Sequence, residues 1–206
     1  MNTNYYIKSY SSIKNNQVSL NGSVVYQKEE AAFSEFIKAA YKDQETKYPK
    51  FFKMDKLSKL AFLAADILLK NENLDPEKDK DIAIVFSNKT SSLDTDRKHQ
   101  ESIQNKESYY PSPAVFVYTL PNICIGEISI KHKLYSENSF FIFENFNAAH
   151  LTTYTNSLLS SGKAEQVLCG WVEFDTEDNY EAFLYLVSPK GTLEHNKQNI
   201  LKIYNT

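Results

Sequence analysis

Apolar positions along this chain fall into blocks of two different periods, and the blocks alternate. Phe33, Phe36, Ile37, Ala40 and Tyr41 stand at i, i+3, i+4, i+7 and i+8, which is one face of a helix. A stronger stripe follows at Leu57, Leu60, Ala61, Ala64, Ile67 and Leu68; it predicts a second helix fading around Asn71 to Asn73, ahead of Pro76. A charged turn, Asp75 to Lys80, leads into Asp81-Ile-Ala-Ile-Val-Phe-Ser87. This short unbroken apolar run with β-branched residues predicts a strand buried on both faces.

From Asn88 to Tyr110 the chain is polar and aperiodic, so the pattern predicts a long loop with room for a short helix. Pro111 and Pro113 mark the next boundary, and beyond Pro121 the residues Ile123, Cys124 and Ile128 give a short apolar helix face. Phe140-Phe-Ile-Phe143 reads as another buried strand. Ala148, Leu151, Thr152, Thr155, Leu158 and Leu159 return to helical spacing, and Gly162 stands where a helix C-terminal glycine is expected. Gln166 to Phe174 and Glu181 to Val187 are two further strands, and the acidic turn between them, Asp175 to Asn179, predicts an antiparallel pair. Strands alternating with helices argue for an α/β layered fold with a mixed, mostly buried sheet. No repeat or linker divides the chain, so residues 1–206 are expected to form one domain.

Composition supports a packed core, because 14 tyrosines, 13 phenylalanines and one tryptophan exceed what a disordered chain carries. The 23 basic and 26 acidic residues nearly balance, with no basic stripe for nucleic acid and no cationic amphipathic helix for a membrane surface. The N-terminus, from Met1, has no basic region followed by an apolar stretch, so no signal peptide is visible. The longest apolar run, Ala61 to Leu69, is broken by Asp66 and too short to span a bilayer. A soluble, reduced, cytoplasmic protein is expected.

The usual catalytic signatures are missing. Five scattered glycines make neither a phosphate loop nor a dinucleotide fingerprint, so no cofactor is expected. His99, His132, His150 and His195 share no metal-ligand spacing, Cys124 and Cys169 cannot supply one, and no metal site is expected. Three of the four histidines sit in polar sequence and read as solvated, and both cysteines read as small buried hydrophobes. The serine-rich end Ser157 to Ser161 has no base beside it in sequence.

One series of landmarks does carry a likeness. It runs Ser112-Pro-Ala-Val-Phe-Val-Tyr-Thr-Leu-Pro-Asn122, then Gly126-Glu-Ile-Ser-Ile130, Glu144-Asn-Phe-Asn-Ala148, Gly162 and Leu168-Cys-Gly-Trp-Val-Glu173. In order and spacing, this resembles the N-terminal half of a β-ketoacyl-ACP synthase, without a gap from Ser112 to Glu173. Phe52-Lys-Met-Asp-Lys-Leu-Ser-Lys-Leu60 also resembles the family's entry helix, with departures. The likeness is nearest to the short members found in bacterial pigment and aryl-polyene clusters, and it implies half of a thiolase-like fold.

Two departures from the family bear on function. The spacing puts Asn145 where active members carry the nucleophilic cysteine, and a carboxamide cannot form the acyl thioester. Asn145 could instead cap the helix that begins near Ala148, or keep a polar role in a pocket. The family's histidine pair and lysine belong to a second half, whereas here only the mostly polar stretch Ser188 to Thr206 follows Val187. A half-sheet should also leave one face needing cover. The resemblance therefore implies a non-condensing subunit similar to a chain-length factor, paired with a full-length synthase and meeting acyl carrier protein through that complex. It implies subunit contact through Phe140, Phe141, Ile142 and Phe143, with Leu120 to Ile130 nearby. It makes Ala114, Val115, Phe116 and Tyr118 candidates for lining an acyl tunnel, against the alternative of ordinary core packing. Two readings from other classes stay open: an acyl-thioester hydrolase with a relocated nucleophile, and a module that binds carrier protein without chemistry.

Overall fold

The computed structural model describes residues 4–75 and 77–206; Met1 and the boundary expected at Pro76 lie outside the described residues. The chain opens with a three-stranded meander, β1 (Tyr6–Lys14), β2 (Gln17–Leu20) and β3 (Ser23–Gln27). Two-residue turns join the strands, Asn15-Asn16 and Asn21-Gly22, and all four residues have φ between 50° and 81°. Asn and Gly tolerate that left-handed conformation, which matches the twist of a hairpin. Then come α1 (Phe33–Asp43), α2 (Lys56–Asn71), β4 (Ile82–Asn88), α3 (Leu93–Ile103), α4 (Pro113–Val117) and α5 (Ile123–His132). The series ends with β5 (Asn138–Ile142), α6 (Ala148–Ser160), β6 (Gln166–Thr176), β7 (Asn179–Ser188), β8 (Leu193–Glu194) and α7 (Lys197–Tyr204).

The eight strands of the described residues join one mixed sheet in the order β3-β2-β1-β7-β6-β4-β5, with β8 beside β1. β4 runs parallel to β5 and β6; β6 and β7 form the antiparallel pair expected from the acidic turn. Alternate residues of the central strands face opposite layers. Leu168, Val172 and Phe174 pack with Leu184 against α1, α2 and α5, whereas Val167, Cys169, Phe183 and Tyr185 pack against α6 and α7. β4 is buried along its whole length, as its continuous apolar run predicts. α2 is buried nearly all round, including Asp66. Inward-facing serines on β1 let α2 come close: Ser11 Oγ donates to the Ala64 carbonyl at 2.9 Å and Ser9 Oγ to Glu72 Oε1 at 2.5 Å. Gly170 on β6 is obligatory, because a Cβ there would lie 2.0 Å from the Phe183 carbonyl oxygen of β7.

Four expectations are corrected. The polar stretch after Asn88 is mostly helix and not mostly loop: the helix it had room for is the eleven-residue α3, of which only Thr95 is buried. Its anchors are tertiary: Thr95 donates to Asp55 at 3.0 Å, and Asp94 pairs with Lys56 of α2 at 3.4 Å, beside a local pair with Lys98 at 2.8 Å. Phe140 to Ile142 is not a strand buried on both faces; β5 is a sheet edge, and its aromatics are half-buried. The segment after Val187 is not merely a polar tail, since α7 buries Ile200 and packs Leu201, Ile203 and Tyr204 onto the second core. The second face of the sheet is consequently covered within the chain by α6 and α7. Finally, the histidines are not solvated: His195 is buried, His132 meets Asp66, and His150 packs edge-on to Phe141.

Candidate functional site

Parallel strands β4 and β6 end side by side, and the first turn of α6 begins next to them. Open α/β sheets place ligand crevices at such carboxyl ends. A pocket of about 250 Å³ lies here, walled by Lys89 and Thr90 after β4, by Asn145 and Phe146 before α6, by Trp171 and Glu173 of β6, and by Tyr204 of α7. Glu173, nearly buried, fixes the turn after β4: it accepts from the Lys89 amide at 2.6 Å and from Thr90 through both amide and hydroxyl. The last residue of the Leu168-Cys-Gly-Trp-Val-Glu173 landmark thus holds the loop that faces the landmark at Asn145.

Asn145 lies at this pocket, exposed, but does not cap α6. The cap is Asn147, whose side chain accepts from the His150 amide at 3.0 Å. The capping reading of Asn145 is therefore corrected, and the pocket position is what remains. Phe146, between them, turns inward and packs on Tyr204, the rings tilted with centroids 4.5 Å apart. Tyr204 Oη donates to Glu181 at 2.6 Å, and burial together with that carboxylate raises its pKa. α7 thereby forms a wall of the pocket, a contribution the sequence reading missed.

No activated nucleophile occurs elsewhere among the described residues. Cys169 is fully buried beside Thr155 Oγ1 at 2.8 Å, and burial pushes its thiol up to about 12. Cys124 is likewise buried, with its pKa raised by burial. His195 has Nδ1 2.9 Å from Asn156 Oδ1, and burial lowers its pKa to about 4. A charge cluster on the other face is structural in form: buried Glu127 accepts from Tyr48 at 2.9 Å and pairs with Lys50 at 2.6 Å. Burial, then the bond to Glu127, raises the Tyr48 pKa to about 12. No group of three or more His, Cys, Asp or Glu among the described residues is placed to hold a metal, and no described helix is long and apolar enough to cross a membrane.

The tunnel candidates separate. Tyr118 is buried with its hydroxyl 3.4 Å from Glu127, but Ala114 is exposed and Phe116 is 60% exposed, so neither is a core residue. Val115 is half-buried in α4, whose first turn is capped by Ser112. At the sheet edge, Phe140 leans on the α5 side and Phe141 on the α6 side, while Ile142 is 51% exposed. Phe143 lies just past the strand, its amide donating to Asn88 at 2.9 Å. Leu120 and Ile130, from the segment expected near the interface, are also exposed.

No family model matches the sequence, and no curated protein matches it. Solved structures do match. The ishigamide ketosynthase/chain length factor aligns with a TM-score of 0.64 at 17% identity, over 90% of this chain and 62% of that one. The ketosynthase has the same fold. The complex of ketosynthase ApeO with its chain length factor ApeC, from Xenorhabdus doucetiae, gives a TM-score of 0.59 at 15% identity, over 91% of this chain and 80% of the matched one. A type II polyketide complex of AntDE with carrier protein AntF gives 0.60 at 14% identity, over 98% of this chain and 65% of that one. The mixed α/β architecture expected from the landmarks is therefore the ketosynthase fold, and the chain spans 62% of the first of these structures.

Proposed function

We propose that the chain is a non-condensing, chain-length-factor-like subunit that pairs with a full-length ketosynthase and helps shape its acyl tunnel. Asn145 carries the reading. It stands between the end of β5 and the start of α6, at the ends of two parallel strands in a ketosynthase fold, and its carboxamide cannot accept an acyl group. Short members of such complexes support it, since 91% of this chain corresponds to 80% of a chain in the ApeO–ApeC complex.

The pairing surface proposed is the β5 edge, with Phe140, Phe141, Ile142 and Phe143. An edge strand with unpaired backbone groups is a template for another chain, and exposed Ile142, Leu120 and Ile130 supply apolar contact area. The pocket at Asn145 holds about 250 Å³, less than the roughly 300–1,000 Å³ of sites that enclose drug-sized ligands. A growing acyl chain would need walls from the partner, and Ala114, Val115, Phe116 and Tyr118 on and after α4 are the proposed contribution of this subunit. The aryl-polyene product class and a cytoplasmic location belong to the same proposal, as does contact with acyl carrier protein through the assembled pair.

Co-expression with a full-length synthase from the same source tests the pairing. A 1:1 complex is expected, and reconstituted with carrier protein it should make shorter products when Ala114 is enlarged in Ala114→Phe. A monodisperse monomer indifferent to the synthase would favour a carrier-binding module, and thioester turnover by the purified chain would favour a hydrolase; either result refutes the proposal.

A further inference from the structure

We infer that the cleft between the last turns of α2 and α5 binds a phosphate group, held by Lys80 and Lys131. The cleft, of about 320 Å³, opens beside the residues that lead into β4, whereas Asn145 lies at the other end of that strand. Asp66 and Lys70 of α2, Lys131 and His132 of α5, and Lys80 ahead of β4 all line it. Three ammonium groups therefore share the cleft with one carboxylate, and that carboxylate is already occupied. Asp66 is fully buried, with Lys70 Nζ at 2.7 Å and Thr46 Oγ1 at 2.6 Å on Oδ2, and His132 Nε2 lies 3.1 Å from Oδ1.

Lys80 and Lys131 are half-buried, and neither has a carboxylate partner among the described residues. Lys80 Nζ donates to the Lys78 carbonyl and Lys131 Nζ to the Lys47 carbonyl at 3.0 Å. A carbonyl accepts the hydrogen bond but leaves the charge in place. The acids nearby are engaged elsewhere: Glu72 with Lys8, Asp75 with Lys78, Glu77 with Lys133, and Glu127, one turn before Lys131, with Lys50. The C-terminal ends of α2 and α5 attract cations, which accounts for Lys70, Lys131 and His132 gathering here, but each end supplies only about half a negative charge. About one positive charge stays uncompensated, and more when His132 is protonated. Each ammonium has three donors and spends one on a carbonyl, so an anion with several acceptor oxygens suits the pair better than a single-atom halide. The volume exceeds what bare phosphate fills, and Leu74 gives an apolar wall for a small organic group attached to it. The inference is independent of the pairing proposed above.

Calorimetric titration of the full chain tests it, at constant ionic strength so that screening does not change between probes. The probes are inorganic phosphate and phenyl phosphate, with phenol as the neutral control. Saturable binding of both phosphates and none of phenol is expected. Tighter binding of phenyl phosphate assigns an organic phosphate that uses the Leu74 wall; equal affinity assigns free phosphate. The double variant Lys80→Gln, Lys131→Gln should weaken phosphate binding about ten- to a hundredfold, the worth of one or two charge-assisted hydrogen bonds. A control with the same net charge, Lys197→Gln, Lys202→Gln, changes exposed residues of α7 on the other face of the sheet and should bind as the original does. The imidazole resonances read the site without any substitution: that of His132 should move saturably with phosphate, and those of His99, His150 and His195 should not. No saturable binding, an unmoved His132 resonance, or equal weakening in the α7 control overturns the inference.

Discussion

Asp66 interrupts the most apolar stretch of the sequence, and its replacement by asparagine should destabilise the protein in a pH-dependent way. It lies fully buried in α2, where Lys70 Nζ approaches Oδ2 to 2.7 Å, Thr46 Oγ1 donates to Oδ2 at 2.6 Å, and His132 Nε2 lies 3.1 Å from Oδ1. Burial alone would raise its pKa, but the bonds from His132, Lys70 and Thr46 outweigh it and hold the carboxyl at about 2 against an ordinary 3.8. That difference corresponds to about 2.4 kcal/mol of stability. Because the folded-state pKa is depressed, the contribution is full above the unfolded value and is lost as pH falls from 3.8 toward about 2.

Asp66→Asn keeps the shape and removes the charge. At pH 7 it should cost about 2–4 kcal/mol, near the lower end because Lys70 is 40% exposed and can turn to water. With a urea slope of about 2–3 kcal/mol/M, the unfolding midpoint should drop by roughly 1 M. At pH 3 about half of the charge contribution, ~1.3 kcal/mol, should remain, so the two proteins converge in acid. Urea titrations of both proteins across pH 3–7 measure this. A gap that does not narrow would show that Asp66 stabilises through shape and neutral hydrogen bonds, and not through its charge.

Gly170→Ala should abolish soluble expression or cost more than about 4 kcal/mol, because the added methyl meets backbone of β7 at 2.0 Å; thermal unfolding, or the soluble yield, measures it. Asn147→Ala should cost about 1 kcal/mol through the lost cap of α6. Asn145→Cys should cost little stability by the same urea assay, and mass spectrometry should show at most slow self-acylation, with no carbon–carbon bond formed by the isolated chain.

Much of the fold was legible because its central strands and first two helices are written in dense apolar runs. β4 and β6 could be read from their continuity, and α1 and α2 from spacing alone. The opening meander escaped because its inward face uses serine: Ser9 and Ser11 are buried under α2, so on that face β1 carries only Ile13 as an apolar marker, while Ile7 and Tyr10 turn to the second core. Its turn signal, Asn21-Gly22, was nonetheless in view. α3 escaped for a deeper reason, since its residues are nearly all solvent-facing and its anchor, Thr95 on Asp55, joins positions forty apart. At the site, the position of Asn145 could be counted from the landmarks, but the choice of cap could not. Asn145 and Asn147 are equally good caps in isolation, and only the path of Phe146 into the core against Tyr204 makes the later one the start of the helix.

The way this half-sheet is closed bears on what a partner can reach. α6 turns Leu151, Thr155 and Leu158 into the second core and presents Thr153, Ser157 and Ser160 to solvent. α7 packs beside it through Ile200 and Tyr204, so this face has polar cover from the chain's own residues. The opposite layer is sealed by α1, α2 and α5 around a core that includes every residue of the Leu57 to Ile67 stripe. Besides the β3 edge, where Val24 and Val25 are exposed, the sheet has an edge at β5 with exposed Ile142. Phe116, Val117 and Leu120 around α4 and Ile130 of α5 are exposed as well, and the proposed pairing takes the β5 edge. If a synthase pairs with this chain, it should do so at that edge and not over α6. Substitution of Ile142 by lysine should then block association while leaving the unfolding free energy of the isolated chain, from urea titration, within about 0.5 kcal/mol of its starting value. Pull-down of the synthase by Ile142→Lys protein, at undiminished yield, would move the interface elsewhere on the surface.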